Sequence, residues 1–337
     1  MKTKPLNLDT DALARLVENE YGLAISTLSF LPVGEDSFAF VAVDTDGARH
    51  FVRLEEDTGQ RNRLENAYIA VESLARGELP ALVAPRRTRQ GGFFAAHGPY
   101  LAALFPFIEG RTLIRTATPE DRARVADVVA SLHETPADDL RLPREGLENP
   151  FEGPIRRALS RAESPMSKAN RHQENVSTLL RVHREDVESS LRRMENFRKD
   201  EDALVGEWVL THGEPHLANV LKDPRGRIHL TDCGELAVGP PERDLFAFSG
   251  PYFEQSLTHY VRRRGNVRLS SRLFEFYHYR WVLQEIADYT TRILFRQMGP
   301  HEDAHAWREL QDYLPTRHDH IARGVGEVRE VLARVSP

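Results

Sequence analysis

Apolar residues in the first third of the chain recur with two different periods. Leu13, Leu16 and Val17, with Ala12 at the margin, keep a helical spacing that predicts a helix over 10–20, capped by Asp9 or Thr10. Residues 28–32, 37–44 and 49–55 instead read as strands, separated by the glycine-bearing turns PVGED and DTDGA. They predict a small antiparallel sheet. Leu64, Ala67, Tyr68, Val71, Leu74 and Ala75 mark the apolar side of a helix over 62–76, and 92–96 and 100–107 supply further strands. At FPFIEGR, 105–111, an apolar strand end runs into a glycine turn, and the pattern beyond it is mostly helical. The change of rhythm places residues 1–104 in one lobe, 105–111 in a hinge and 112–337 in a second lobe.

Past that boundary, Ala123, Ala126, Val129 and Ala130, flanked by Val125, Val128 and Leu132, give a helix over 119–134 a broad buried face. The stretch 136–154, rich in proline, glycine and acids, reads as a loop. One helix is expected over 174–195, a short strand over 227–230 and an aromatic helix over 273–294. The expectation is an α+β molecule, a small antiparallel sheet lobe followed by a larger, mostly helical one, with a cleft for a ligand between them.

Composition removes several alternatives. A chain of 337 residues, 40% hydrophobic and 28% charged, can bury a substantial core. Acidic residues number 51 against 45 basic, a net charge of −6 that gives no overall pull toward nucleic acid or anionic lipid, and RRRG at 262–265 is an isolated basic run. Neither nucleic acid nor membrane is expected as a partner, since no apolar run approaches the roughly 20 residues that span a bilayer. A single cysteine excludes a disulfide framework, and the start MKTKPLNLDTDALARLVE lacks the apolar core of a secretory signal, so the cytoplasm is the expected setting. Oligomeric state is left open by the sequence.

The densest chemistry lies in THGEPHLANVL, 211–221, followed by TDCGE, 231–235. Zinc fits poorly: His212 and His216 stand four apart, but Pro215 lies between them, the pattern is not HExxH, and Cys233 has no cysteine partner, although a further donor at His229 keeps the zinc reading open. Phosphoryl transfer accounts for more of the segment. It needs an acid at the acceptor hydroxyl and hard oxygen ligands for magnesium, and Glu214, Asn219 and Asp232 offer such oxygens on a loop and at a strand end. His212 would hold the loop through its imidazole.

HGEPHLAN, TDCGE and PPERDLFAF at 240–248 together resemble signatures of the aminoglycoside phosphotransferase family, relatives of protein kinases, in particular its spectinomycin and hygromycin phosphotransferase-like members, over about 30–294. The resemblance implies a bilobal protein-kinase-like fold and transfer of a nucleotide's terminal phosphate to a small-molecule hydroxyl. On it, His212, Glu214 and Asn219 match the family's histidine, catalytic acid and metal-binding asparagine. Asp232 matches the later metal-binding acid, and Asp244 a structural acid behind the catalytic loop. Two positions depart from the usual pattern: Glu214 stands where aspartate is commoner, and Arg53 of HFVRLE stands where the third strand carries lysine. Arginine keeps the charge but presents a rigid fork.

The same resemblance implies a nucleotide site. PVGEDSFAF is similar to the phosphate-side hairpin, with Gly34 and Ser37 near phosphate, although a plain hairpin turn explains these residues as well. Arg53 is expected to pair with Glu65 on the following helix, Glu72 being the alternative two turns later on roughly the same face. Phe105, Phe107 and Ile108 are expected at the purine, or simply as a core strand entering a turn, or both. For the acceptor, Glu285 and Asp288 share a helix face suited to a cation, and Trp281 offers apolar contact; packing is the competing account of Trp281. The function expected is an ATP- or GTP-dependent, magnesium-assisted O-phosphotransferase of a small molecule, such as an aminoglycoside, nucleoside or related antibiotic. The alternatives are a kinase of an amino alcohol or sugar, and a nucleotide-binding pseudokinase without transfer. Protein-kinase activity is disfavoured by the short chain between Asp232 and Arg243.

Overall fold

In the computed structural model, residues 3–5, 8–34, 37–165, 170–199, 206–250, 252–265, 267–296 and 298–335 are described. Helix α1, Thr10–Tyr21, is capped by the Asp9 carboxylate and buries Leu13, Val17 and Tyr21, each four residues after the last. The Tyr21 hydroxyl lies 2.7 Å from the Phe93 carbonyl and 3.0 Å from that of Ala102, which pins the helix to the sheet. That sheet comprises β1 (Ile25–Leu31), β2 (Phe38–Asp44), β3 (Arg49–Glu56), β4 (Phe94–His97) and β5 (Tyr100–Pro106), with α2 (Arg61–Arg76) inserted after β3. All its pairs are antiparallel, in the order β1-β2-β3-β5-β4.

Register decides which side chains share a face. Phe38 pairs with Leu54 and Phe40 with Val52, so these apolar residues share one face, while Arg53 alternates to the other between Ala39 on β2 and Ala103 on β5. Ala103 packs with Leu64 and Tyr68 of α2, Phe93, Phe94 and Leu101.

The chain continues through β6 (Arg111–Thr112) and α3 (Pro119–His133), which opens on a Thr118–Asp121 capping box. The single helix expected over 174–195 is two. After α4 (Glu152–Glu163) come α5 (Arg171–Val182) and α6 (Arg184–Arg198), broken at His183, whose backbone leaves the helical region at φ −105°, ψ 22°. Apolar spacing continues through the break, so periodicity alone merges them; and α5 begins earlier than expected because Asn170 and Gln173 form its capping box. Four short strands follow: β7 (Val209–Thr211), β8 (Val220–Lys222), β9 (Ile228–Leu230) and β10 (Ala237–Gly239). They form the pair β10-β7 and the three-stranded sheet β6-β8-β9. Helices α7 (Glu242–Leu245), α8 (Phe253–Arg264), α9 (Ser271–Thr291), α10 (Pro300–Tyr313) and α11 (His318–Val335) complete the chain, and α9 runs into a π-helical turn over Arg292–Arg296.

By packing, the chain falls into two compact units. The first holds Met1–Arg144, Trp208–Gly239 and Gln255–Gly265; the second holds Glu145–Glu207, Pro240–Glu254 and Asn266–Pro337. The core of the second is helical, with Ile155, Leu180, Phe197, Phe276, Leu283 and Leu310 buried together. The α+β class, an antiparallel five-stranded sheet followed by a mostly helical remainder, is the one expected. Among the described residues no helix is long and apolar enough to cross a membrane.

Candidate functional site

Strand β7 delivers a fully buried His212, and Gly213 turns the chain at φ 98°, a conformation that glycine adopts without a Cβ clash. The imidazole spans two loops. Its Nδ1 accepts from the Glu214 amide at 3.2 Å, and its Nε2 donates to the Thr231 carbonyl at 3.0 Å, an arrangement that requires the proton on Nε2. Thr231 returns the connection, its amide and its hydroxyl each donating to the Asn219 carbonyl at 2.9 Å. Asn219 closes the loop on itself, Nδ2 donating to the Glu214 carbonyl at 3.0 Å. The half-buried Glu214, Asn219 and the residue after Thr231 are thus held on one hydrogen-bonded frame.

That next residue, Asp232, is the one non-glycine among the described residues with positive φ, at 61° with ψ 48°. Left-handed backbone costs a side-chain-bearing residue on the order of 1–2 kcal/mol, so its surroundings must impose it. Before it, β9 is anchored by Leu230, whose amide donates to Ala81 at 2.7 Å and whose carbonyl accepts from Val83 at 3.0 Å. After it, Arg63 of α2 grips the turn 233–235, donating to the Gly234 carbonyl at 2.9 Å and to the Glu235 carboxylate at 2.6 Å. Cys233 is buried beneath, and burial pushes its thiol up, which fits a packing role and not a reactive one.

The Asp232 carboxylate forms an ion pair with Arg53, whose guanidinium also lies 3.4 Å from Glu55. Burial opposes the charge on Arg53, but Asp232, with Tyr68 and Glu55, holds its pKa well above the ordinary arginine value. Burial likewise works against the ionised Asp232, and Arg53 outweighs it, so this carboxyl stays below its usual range. Burial pushes the Glu55 carboxyl upward despite Arg53.

Two of these groups suit a hard cation. Asn219 spends its amide nitrogen on the loop, which leaves Oδ1 as the atom available, and Asp232 uses one carboxylate oxygen on Arg53. One carboxylate and one amide oxygen match magnesium, which takes few protein ligands and completes its shell with phosphate oxygens and water. Among the described residues there is no group of three or more histidine, cysteine, aspartate or glutamate side chains that could hold a metal ion.

The pairing expected between Arg53 and Glu65 is not formed. Glu65 accepts from the Phe93 amide at 3.3 Å and lies 4.0 Å from Arg61, while Glu72 is taken by Arg76 and Arg87 at 2.8 and 2.7 Å. Arg53 turns instead to Glu55, two residues along the same strand face, and to Asp232, which the left-handed turn presents to it. Of the hairpin residues, Gly34 adopts φ 84° and Ser37 lies beside it, with 35–36 between them outside the described residues. Phe105, half-buried, packs edge-on against Tyr68 at 5.8 Å and Phe51 at 6.3 Å, at the margin of the core under β5; Arg49 stacks over Phe107 at 4.4 Å, and Ile108 is half-buried.

Trp281, Glu285, Asp288 and Asp244 belong to the second unit. Trp281 is 40% exposed and donates from Nε1 to Glu285 at 2.9 Å, with its ring against Tyr313 and Phe246; Asp288 follows on the same face of α9. Glu285 is therefore oriented by the indole. Asp244 is fully buried in α7. Sequence reasoning missed Glu55 and Arg63. The two-residue alternation along β3 carried the signal for Glu55, and nothing in the sequence pattern marked Arg63.

A model of the phosphotransferase enzyme family matches residues 27–289. Protein StrN of Streptomyces griseus is 25% identical over 331 residues, which cover 90% of this chain and 93% of that protein. Among solved structures, a spectinomycin phosphotransferase in complex with ADP and spectinomycin superposes with a TM-score of 0.70 at 18% identity, covering 91% of this chain and 94% of the other. A microcompartment-associated aminopropanol kinase gives 0.61 at 16% identity, over 94% and 99%. At these identities the structural likeness is one of fold.

Proposed function

Because this chain belongs to the phosphotransferase enzyme family, we propose that it carries a phosphoryl group from ATP or GTP to the hydroxyl of a small molecule through Glu214, Asn219 and Asp232. That it is a small-molecule phosphotransferase with an alcohol as acceptor follows from the family. The assignment of residues rests on one observation: the His212 ring, the Thr231–Asn219 bonds and the Asn219–Glu214 bond tie the backbone at Glu214 and Asn219 to the residue before Asp232 in one frame. A fixed frame matters because phosphoryl transfer depends on positioning and charge more than on covalent chemistry by the protein. Glu214 orients the acceptor hydroxyl and takes its proton as the new O–P bond forms. Asn219 and Asp232 would hold magnesium, which neutralises charge on the donor phosphates. Arg53 supplies a fixed positive charge beside them.

Residues 1–104 serve as the nucleotide lobe in this reading, with Gly34 and Ser37 near the phosphates, Glu65 behind them, and 105–111, including Phe105, Phe107 and Ile108, as the connector. Asp244 supports the catalytic loop, and the cytoplasm is the setting. Trp281, Glu285 and Asp288 would receive the acceptor. Two carboxylates beside an exposed indole suit a cationic, hydroxylated molecule. The likeness to a spectinomycin phosphotransferase favours an antibiotic, and the likeness to an aminopropanol kinase favours an amino alcohol as the second reading. Incubating the purified chain with ATP or GTP, magnesium and a panel of hydroxylated antibiotics and amino alcohols should give one phosphorylated product by mass. Binding of nucleotide and magnesium with no transfer across the panel would point to a pseudokinase instead.

A further inference from the structure

Arg53 stands between two carboxylates, and the buried cluster around it is only partly satisfied. Its Nε, Glu55 Oε1 and the Tyr68 hydroxyl are all buried without a hydrogen-bond partner. A buried polar atom left unsatisfied is destabilising, and two of these three sit on neighbouring, oppositely charged side chains. A small rotation of the guanidinium would bring its fork squarely onto Glu55, satisfying both at once as a two-bond arginine–carboxylate pair. The same rotation would release Asp232.

We propose that Glu55 is a positioning residue that draws Arg53 off Asp232, so that Asp232 can accept a divalent cation while Arg53 stays in the site. The proposal rests on Asp232 being a metal-binding residue. Arg53 and a metal ion compete for one carboxylate, and Glu55 supplies the second carboxylate that makes the exchange possible. Without Glu55, the guanidinium would have Asp232 alone as its counter-ion, and the cation would have to displace it into a buried site with no partner. Across the sheet Arg53 is flanked by the small side chains of Ala39 and Ala103.

The test is a double-mutant cycle on cation affinity, with Mn²⁺ as the probe for a hard oxygen site and free Mn²⁺ read by electron paramagnetic resonance, on the full chain without nucleotide. Glu55→Gln should weaken Mn²⁺ about tenfold, and Arg53→Met should strengthen it, because the competing charge is gone. In the Arg53→Met background, Glu55→Gln should change affinity by less than about threefold. An equal loss in both backgrounds would mean that Glu55 acts only as a nearby charge, and the proposal falls. Glu55→Asp, which keeps the carboxylate but shortens it, should lie between parent and Glu55→Gln, and it carries the test if Glu55→Gln does not fold; parent-like affinity there would count against the exchange. Asp232→Asn separates the two ideas. If it leaves Mn²⁺ binding unchanged, the metal assignment is wrong; if it abolishes binding while the cycle shows no coupling, only the role of Glu55 is lost.

Discussion

Glu214 projects from a loop held at both ends, by the His212 ring at its amide and by Asn219 at its carbonyl, so substitution of its side chain should leave the frame standing. Glu214→Gln keeps length and shape and removes the carboxylate that the proposed mechanism uses as base. Turnover should fall about 10²- to 10⁴-fold with nucleotide affinity near that of the parent, measured by single-turnover transfer beside a binding titration. Undiminished transfer would reassign the base. A different carboxyl governs pH. Glu242 is almost wholly buried, and burial pushes its pKa from 4.5 up to about 7, although the Ser270 amide donates to it. Between those values the native state keeps a proton that the unfolded chain releases, so this group's contribution to stability falls as pH rises through the window and is flat above it. The loss is up to about 3 kcal/mol. Glu242→Gln should therefore gain on the parent in urea midpoint between pH 5 and pH 8; a constant difference would refute the shifted value. At this scale His212, Glu214, Asn219 and Asp232 were legible because they crowd two short segments. The partner of Arg53 was not, because the identity of the nearest carboxylate depends on how a turn packs on a strand.

Elements were readable where one period persists unbroken. Strands β1, β2, β3 and β5 and helices α1, α2 and α3 came within a few residues because alternation and helical spacing persist over seven or more positions. Strands β6, β7, β8 and β10, two or three residues each, are too short for any period to declare itself, yet they frame the loop over 212–219. Their contacts can be tested at one glycine. A Cβ on Gly110 would sit 2.7 Å from the Lys222 carbonyl oxygen of β8, a backbone atom with little freedom to move. Gly110→Ala should push β6 off β8 and cost about 1–3 kcal/mol, the usual penalty of overpacking. A melt should then shift down by several degrees. An unchanged melting temperature would show that the two segments separate without cost.

At the scale of the whole molecule, neither compact unit is a continuous piece of chain; each is assembled from three segments. Hydrophobic pattern reports what is locally apolar and says nothing about which distant segment completes a core, so this division could not be seen in the sequence. A fragment ending at Arg144 would lack β8, β9 and the turn that Arg63 grips, and it should show no cooperative thermal transition and poor amide dispersion by NMR. A sharp melt of that fragment would show that the sheet and its helices stand alone. Timing follows from the same layout. Ala81 and Val83 bond to Leu230, which leaves the ribosome roughly 150 residues later; at about 5–20 residues per second this is a wait of some 7–30 s. For that interval the newborn amino-terminal part presents unpaired backbone and a bare apolar flank to the cell, so translation speed and chaperone supply bear on the yield of this protein before any substrate does.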